Sequence, residues 1–413
     1  MRDKALYAKI LNISEPWVVT DVDLNKDTKQ ITVYVDLTNK AVGGCATCGK
    51  SCAGYDHRIR RWRHLDTCQY QTVIEAKMLR VECDEHGVST VPVPWADKGS
   101  KLTALFEAVV IDWLKEASIS AVATQLKLSW KMVDGIMKRA VERGLMRRKE
   151  IEVTKIGVDE TSFKKGHDYV SIVTDAERKR ILFIADDRKA DSLDGFFKCL
   201  SIEQLNAIKS ISMDMWAPFI KAVRDNIKGS EEKIAFDKFH VAQHLGNAVD
   251  KVRKSEHKDL KSHGRDDLVK SKYKWLRNPN NMSAEQWKDF AVLRKSNLKT
   301  ARAWAIKELA MDLWGYKVRG WAEKGWLAWY GWAIRSKLDP IKRVAKMIKN
   351  HLWGIINAIV LNANNGHAES MNSKVQKIKR MACGFRCKER FKNALYFHLG
   401  DLELAPATIL YWK

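Results

Sequence analysis

The segment Ile156-Gly-Val-Asp-Glu-Thr-Ser-Phe163 predicts a β-strand that carries a carboxylate, Asp159, inside an apolar run. A buried carboxylate is costly unless it is paired with a cation or bound to a metal. Side chains alternate between the two faces of a strand, so the neighbouring Glu160 points to the opposite face and is a weaker candidate. This strand must therefore belong to a sheet that holds a charged site at Asp159.

Two more strands follow after short turns, and two further strands alternate with helices over 191–200 and 218–227. The predicted strands cover residues 156–163, 169–175, 180–185, 208–213 and 233–241. Three antiparallel strands followed by strands that alternate with helices are typical of a ribonuclease-H-like fold. The predicted fold class is therefore multidomain α/β.

Two more carboxylates stand where such a sheet would bring them to Asp159. Asp214 directly follows the buried strand 208–213, and Glu369 opens a helix after an Asn/Gly turn. Taken singly, Asp214 could cap a turn and Glu369 could be a helix N-terminal charge partner. Together, three carboxylates suit two Mg²⁺ ions, for which Mn²⁺ can substitute, and two such ions promote displacement at a phosphodiester.

The N-terminal region contains two short Cys/His motifs separated by strands. This layout predicts a small β zinc ribbon with structural Zn²⁺ held by Cys45, Cys48, Cys83 and His86. Cys52 and Cys68 are alternative ligands in place of His86, and buried cysteines without a metal are the simpler alternative. A hairpin is predicted over residues 17–37.

Residues 118–126 and 130–141 predict two helices joined by a short turn, with Ser129 as the cap of the second helix. This is the pattern of a helix-turn-helix, although an ordinary helical hairpin has the same outline. The residues expected on the DNA-facing side are Trp130, Lys131, Asp134, Lys138 and Arg139.

The net charge is +23, which points to nucleic acid as the partner. Basic groups at two other places are also expected to contact DNA, namely Arg58, Arg60, Arg61 and Arg63 in the N-terminal region, and Lys374, Lys377, Lys379 and Arg380 after Glu369. No apolar run of membrane-spanning length and no signal peptide stand out. We expect a cytoplasmic, nucleoid-associated protein with no membrane partner.

A basic region rich in tryptophan separates the second aspartate from the glutamate, and we interpret it as a helical insertion in the catalytic domain. Core packing is the default role for its tryptophans, although some could stack on DNA bases. The predicted segments are a zinc-binding domain (1–98), a helix-turn-helix domain (99–150), the first catalytic part (151–240), the insertion (241–360) and the last catalytic part (361–413).

Several motifs together resemble the ISL3 family of DDE-type insertion-sequence transposases, and the resemblance covers essentially the whole chain. They are Cys45-Ala-Thr-Cys48-Gly, Arg61-Trp-Arg-His-Leu-Asp66, Pro92-Val-Pro-Trp95-Ala, Ile156-Gly-Val-Asp-Glu160, Met213-Asp-Met-Trp216, Phe236-Asp-Lys-Phe-His240-Val and Asn365-Gly-His-Ala-Glu-Ser-Met-Asn372-Ser-Lys374. The resemblance implies metal-binding roles for Asp159, Asp214 and Glu369, and recognition of terminal inverted repeats by the N-terminal modules.

Asp237 and His240 resemble the D-x-x-H element of some DDE families, which makes them auxiliary active-site candidates; a packed histidine at a strand end is the alternative. The family function implies double-stranded DNA, both element ends and target, as the partner, with a homodimer or larger assembly on DNA. Two other functions stay open. One is a ribonuclease-H-like nuclease that cuts without joining, and the other is a DNA-binding regulator derived from a transposase.

Overall fold

The computed structural model describes residues 2–38, 43–148, 151–164, 168–187, 189–296, 298–363 and 366–406. These residues form two compact units. The first unit comprises Met1–Lys149, Met381–Gly384 and Tyr396–Lys413, and the second comprises Glu150–Arg380 and Phe385–Leu395. The division assigns the end of the predicted last segment, from residue 396, to the first unit.

The first unit begins with helix α1 (Arg2–Ile10) and a five-stranded sheet. Its strands are β1 (Trp17–Asn25), β2 (Gln30–Leu37), β3 (Ala53–Arg63), β4 (Gln71–Cys83) and β5 (Gly87–Thr90). The order is β1-β2-β4-β3, with β5 paired to β4, so the predicted hairpin at 17–37 is confirmed. Trp17 and Trp62 both pack edge-on against Trp95, at 4.9 and 5.6 Å between ring centroids. The basic segment 58–63 lies on β3.

Three helices follow in the first unit: α2 (Ala104–Glu116), α3 (Ile119–Gln125) and α4 (Trp130–Arg147). Each begins at a hydroxyl cap, because Thr103, Ser118 and Ser129 each accept a hydrogen bond from a backbone N–H of the first turn. Lys127 adopts a positive φ of 53° in the turn between α3 and α4. The predicted helix-turn-helix and its Ser129 cap are confirmed.

The C-terminal half of α4 holds residues 400–405. Arg143 donates a hydrogen bond to the carbonyl of Leu404 (3.1 Å), and Arg147 donates to those of Glu403 (3.0 Å) and Ala405 (2.7 Å). Gly144 leaves space for Leu402, since a Cβ added there would lie 2.7 Å from the Leu402 Cβ. This end of α4 is therefore used for packing.

The second unit is built on a mixed sheet of β6 (Lys155–Ser162), β7 (Tyr169–Asp175), β8 (Arg180–Ala185), β9 (Ser210–Met213) and β10 (Ile234–Phe236). The order is β10-β9-β6-β7-β8. The meander β6-β7-β8 is antiparallel, whereas β6-β9 and β9-β10 are parallel. The predicted succession along the chain, three antiparallel strands followed by strands that alternate with helices, is confirmed. Helices α5 (Ala190–Lys198), α6 (Ile202–Ala207), α7 (Ala217–Asn226) and α8 (Ser230–Lys233) connect the later strands.

The prediction of one long strand over 233–241 was wrong, because β10 ends at Phe236. Asp237 instead caps helix α9 (Lys238–Ser262), and its Oδ1 accepts the Phe239 N–H at 2.9 Å. An Asp side chain in this position satisfies a free N–H of the first helical turn, which favours helix over strand. His240 therefore lies in the first turn of a helix and not at a strand end.

The remaining chain is helical. Its helices are α10 (Lys272–Leu276), α11 (Ala284–Lys295), α12 (Lys299–Asp312), α13 (Arg319–Arg335), α14 (Asp339–Asn350), α15 (Leu352–Val360), α16 (Gly366–Met381) and α17 (Lys388–Leu399). The expected core role of the tryptophans is confirmed for Trp275, Trp304, Trp326 and Trp329, which are buried. No helix in the described part of the chain is long and apolar enough to cross a membrane.

Helix α15 fixes the position of β10 next to the core of this region. The Asn357 amide donates hydrogen bonds to the carbonyls of Glu231 (2.6 Å) and Ile234 (2.9 Å). The backbone of Gly354 lies against the Phe236 ring, so closely that an added Cβ would come within 2.4 Å of it. These contacts position the residue that follows β10, Asp237.

Candidate metal-dependent active site

Three aspartates lie at matching register positions on or directly after the three parallel strands of the second sheet. Gly157 of β6 is paired with Ser212 of β9, so Asp159 and Asp214 each lie two residues beyond that pair. Met213 is paired with Phe236 of β10, so Asp214 and Asp237 each lie one residue beyond. Ligands of such sheets bind outside the carboxyl ends of the strands. The register therefore gathers carboxylates from three adjacent strands at one edge.

Asp159 is held by two hydrogen bonds at the edge of the site. Its Oδ1 accepts the backbone N–H of Glu160 at 2.7 Å, and its Oδ2 accepts the amide of Asn372 at 2.7 Å. Burial nevertheless raises the pKa of the Asp159 carboxyl above its ordinary value, and outweighs both hydrogen bonds. The protein groups around Asp159 thus do not fully offset the cost of burying its negative charge. A bound cation would offset that cost.

His240 lies between the other two aspartates. Its Nδ1 is 3.7 Å from Asp214 Oδ2, and its Nε2 is 3.8 Å from Asp237 Oδ2. Asp237 is buried, with its side chain only 4 % exposed, whereas Asp214 is partly open to solvent. The imidazole therefore lies close to both carboxylates, and Asp214 Oδ1 also accepts the backbone N–H of Met215 at 2.6 Å. Both predicted auxiliary residues lie beside Asp214.

Glu369 lies in the first turn of α16, and its side chain is outside the described residues. Asn365 of the quoted motif is also outside them. Residues three apart on a helix share a face, so Asn372, which bonds Asp159, marks the face that also carries Glu369. The sequence analysis gave Asn372 no role, although its spacing from Glu369 was a usable signal.

The basic residues of α16 divide into two groups. Lys374, Lys377 and Arg380 are exposed. Lys379 turns inward, where its ammonium donates hydrogen bonds to Ser162 O and to Thr161 Oγ1 and lies over the Phe391 ring. Burial lowers the pKa of Lys379 below its ordinary value. Lys379 thus fastens α16 to β6 instead of making the expected DNA contact.

In the first unit, the four predicted zinc ligands converge. The ligand atoms of Cys45, Cys48, Cys83 and His86 all lie within 4.8 Å of one another. Cys48 Sγ is 3.8 Å from Cys83 Sγ. Zn–S bonds of about 2.3 Å give a tetrahedron with edges of roughly 3.8 Å, so the spacing fits Zn²⁺.

The backbone around Cys45 and Cys83 favours the thiolate form of these two cysteines. The N–H of Cys48 and then that of Thr47 lower the pKa of Cys45, and the N–H groups of Glu85 and His86 lower that of Cys83. Thiolate is the form that binds zinc. The alternative ligands stand outside this group of four: Cys52 Sγ is directed to Lys50 O (3.2 Å), and Cys68 is exposed.

The predicted DNA-binding arginines of the first unit differ in how far their side chains are exposed and in whether they are paired. Arg63 is mostly buried, bonds the His64 carbonyl, pairs with Asp66 and lies over Phe106. Arg61 pairs with Glu75 at 2.6 Å, and Arg60 lies over Trp62. Among the described residues, Arg58 is exposed and has no ion-pair partner. Arg63 therefore has a packing role instead of the expected DNA contact.

On α4 the exposed predicted residues are Trp130, Lys131 and Lys138, while Asp134 is half-buried. Arg139 donates to Glu107 at 2.9 Å, and Arg143 donates to the same carboxylate at 2.9 Å. Glu107 is only 2 % exposed, so this cluster joins α4 to α2. The N-terminal half of α4 is therefore the part that presents cations and an aromatic ring to solvent.

Comparisons with known proteins agree with this arrangement. A family model described as "Transposase" matches residues 156–395, and one for the "Helix-turn-helix domain of transposase family ISL3" matches residues 91–141. A third, "zinc-finger of transposase IS204/IS1001/IS1096/IS1165", matches residues 41–86. Similar curated proteins include the transposase for insertion sequence element IS1557 of Mycobacterium tuberculosis (26% identical over 94% of this chain and 93% of the relative). Another is the transposase for IS1001 of Bordetella parapertussis (25% identical over 88% of this chain and 90% of the relative).

Proposed function

Because the chain belongs to the ISL3 family of transposases, we propose that it cuts and joins DNA at a two-metal site held by Asp159, Asp214 and Glu369. The observation that carries the proposal is the register of β6 and β9, which brings Asp159 and Asp214 to the same edge of the sheet. Asn372 supports the third position, since it joins the helix of Glu369 to Asp159. We interpret the sheet as ribonuclease-H-like.

The donor set fits a hard divalent cation. All three proposed ligands are carboxylates, and Mg²⁺ prefers oxygen. Two Mg²⁺ ions, or Mn²⁺ in their place, supply charge neutralisation at the attacking and leaving oxygens of an in-line displacement. The chain's own contribution is to fix the carboxylates, through Asn372 at Asp159 and through His240 at Asp214.

The proposed reaction has two steps on DNA. Water first attacks the phosphodiester at an element end and releases a 3′-OH. That 3′-OH then attacks a target phosphodiester, so that one bond breaks as the other forms. His240 and the buried Asp237 hold Asp214 in orientation during both steps. Exposed Lys374, Lys377 and Arg380 on α16 are placed to contact the phosphate backbone.

The N-terminal unit recognises the element ends in this proposal. Trp130, Lys131 and Lys138 at the exposed start of α4 contact the DNA, and Arg58 adds a phosphate contact from β3. Structural Zn²⁺ at Cys45, Cys48, Cys83 and His86 holds the β3–β5 region in shape. Since an element has two ends, we propose that a homodimer or larger assembly forms on DNA.

Strand transfer with pre-cut end oligonucleotides, a plasmid target and Mg²⁺ or Mn²⁺ tests the proposal. We expect joined products from the wild type and none from Asp214→Asn, which keeps the shape but removes the charge. Glu177→Gln, at an exposed acid after β7, is the matched control and should join normally. Hydrolysis without joining would indicate a nuclease, and end binding without chemistry would indicate a regulator.

A further inference from the structure

Helix α13 has one face that the packing of the second unit does not use. Its opposite face buries Trp326 and Trp329, and the Trp329 indole donates to Ile306 O at 2.8 Å. The unused face carries Trp321 and Trp332, whose side chains remain 63 % and 38 % exposed. These two residues are eleven positions apart, which is close to three full helical turns and puts both indoles on one line.

The surface around the two indoles includes small side chains and two positively charged ones. Ala328 lies on the line between the two indoles, and beside that line the Arg335 guanidinium rests on Gly331, where an added Cβ would come within 3.4 Å of it. Lys324 Nζ lies over the Trp321 ring, 5.4 Å from its centroid. Among the described residues, neither Lys324 nor Arg335 forms an ion pair, and Glu323 lies on the other side of the helix.

From this arrangement we infer that the outer face of α13 binds an unpaired DNA strand, with bases stacked on Trp321 and Trp332 and phosphates on Lys324 and Arg335. This inference rests on the proposed function, because it assigns the strand to DNA that is opened near an element end. Aromatic rings with cations beside them are the usual means of holding single-stranded nucleic acid. Inside a duplex the base faces are covered by neighbouring bases, whereas an unpaired strand can present them to an indole.

The positive charge of this face favours DNA over a second copy of this chain as its partner. If two copies paired through this face, Lys324 and Arg335 of one would meet only cations of the other, which is unfavourable. A polyanion has the opposite sign. The two indoles are roughly 16 Å apart along the helix axis, at about 1.5 Å per residue. Bases of one strand rise by about 3.4 Å per step, so a stacked strand spans both indoles in roughly five steps.

The test measures binding of labelled three-nucleotide and ten-nucleotide oligothymidylates to the full chain, without added Mg²⁺ or Mn²⁺. The wild type should bind the longer oligomer much more tightly, because only that oligomer reaches both indoles. Trp321→Ala and Trp332→Ala should each weaken its binding by about 5- to 100-fold. Trp321→Phe, which keeps a ring, should retain most of the affinity.

Tyr273→Ala is the matched control. Tyr273 is 71 % exposed on α10, and Lys272 covers its ring at 5.4 Å, but the other aromatic residue of α10, Trp275, is buried. Tyr273→Ala should leave binding of the longer oligomer unchanged. The inference is overturned if the tryptophan variants keep wild-type affinity or if Tyr273→Ala loses as much. It is also overturned if the tryptophan variants lose self-association, measured by light scattering, while oligomer binding is unchanged.

Strand transfer by the wild type, run in parallel, separates this inference from the proposed function. Joined products together with unchanged oligomer binding by the variants would reject the stacking face alone. Absence of joining together with weakened binding by the variants would reject the transposition chemistry and support the stacking face.

Discussion

The amide of Asn372 donates a 2.7 Å hydrogen bond to Oδ2 of Asp159, across 213 residues of sequence. This single contact connects α16 to β6, the central strand of the second sheet, and it reaches the carboxylate whose pKa burial raises. It therefore links the position of the Glu369 helix to the state of the first aspartate.

Asn372→Ala should reduce strand transfer by about 10- to 100-fold, the usual cost of losing a residue that orients a metal ligand. Asn372→Asp should be worse than the alanine variant, because a second carboxylate would repel Asp159. End binding, measured separately by gel shift, should be unchanged in both. Ser373→Ala, on the exposed side of the same turn, is the control. Full activity of Asn372→Asp would contradict the orienting role.

Removing one zinc ligand should release the metal and destabilise the first unit. We expect Cys83→Ser to lose the bound Zn²⁺ measured by elemental analysis of the purified protein, and to unfold at lower temperature. Cys68→Ser is the matched control, because Cys68 lies outside the ligand group and is exposed. Zinc retained at wild-type level by Cys83→Ser would show that the ligand set is different.

His64 should make the stability of the first unit depend on pH. It is buried, its Nδ1 lies 2.9 Å from Thr103 Oγ1, and burial followed by the nearby Arg63 charge lowers its pKa to about 4. The folded state therefore binds fewer protons than the unfolded state between about pH 6.5 and 4. The free energy of unfolding should therefore be unaffected by His64 above pH 6.5 and should decrease as pH falls through that window, by at most about 3 kcal/mol.

Thermal melts at pH 7 and pH 5 of the wild type and of His64→Gln measure this effect. The wild type should lose more stability on acidification than the variant, because glutamine does not titrate. Equal losses in both proteins would assign the acid sensitivity to other groups.

Two glycines of α4 should respond oppositely to alanine. Gly144→Ala forces its Cβ against Leu402 and should cost about 1 to 3 kcal/mol in unfolding free energy. Gly135→Ala meets only the end of the Arg139 side chain, at 3.5 Å, and should stabilise the helix by roughly 0.5 to 1 kcal/mol. Denaturant unfolding provides both values. A neutral Gly144→Ala would mean that residues 400–405 do not pack on α4 in solution.

Lys131→Ala should weaken binding to element ends and reduce the slope of log affinity against log salt by about 1, because one phosphate contact is lost. Lys115→Ala on α2 is the control, since Lys115 is exposed but paired with Asp112 at 2.7 Å. A salt series of binding constants separates the two. An unchanged slope for Lys131→Ala would place the DNA elsewhere on the unit.

Local patterns in the sequence predicted most of the secondary-structure elements and the zinc ligands. Alternating apolar residues predicted the hairpin and the succession of strands in the second unit, a serine before the second helix predicted its cap, and Cys/His spacing predicted the zinc ligands. These features depend on local periodicity and short spacings, which the chain order carries directly. The motif resemblance implied metal-binding roles for Asp159, Asp214 and Glu369, which remain a proposal.

Only the tertiary structure decided which charged groups are available for function. Lys379 and Arg63 look the same in the sequence as Lys374 and Arg58, yet the first two are engaged by Ser162 and Asp66. Tertiary packing also brings Asn372 to Asp159. It leaves Trp321 and Trp332 exposed while the other tryptophans of the same helix are buried. The physical reason is that burial and pairing depend on residues far apart in the chain, and no local pattern records which of two identical side chains will meet a partner.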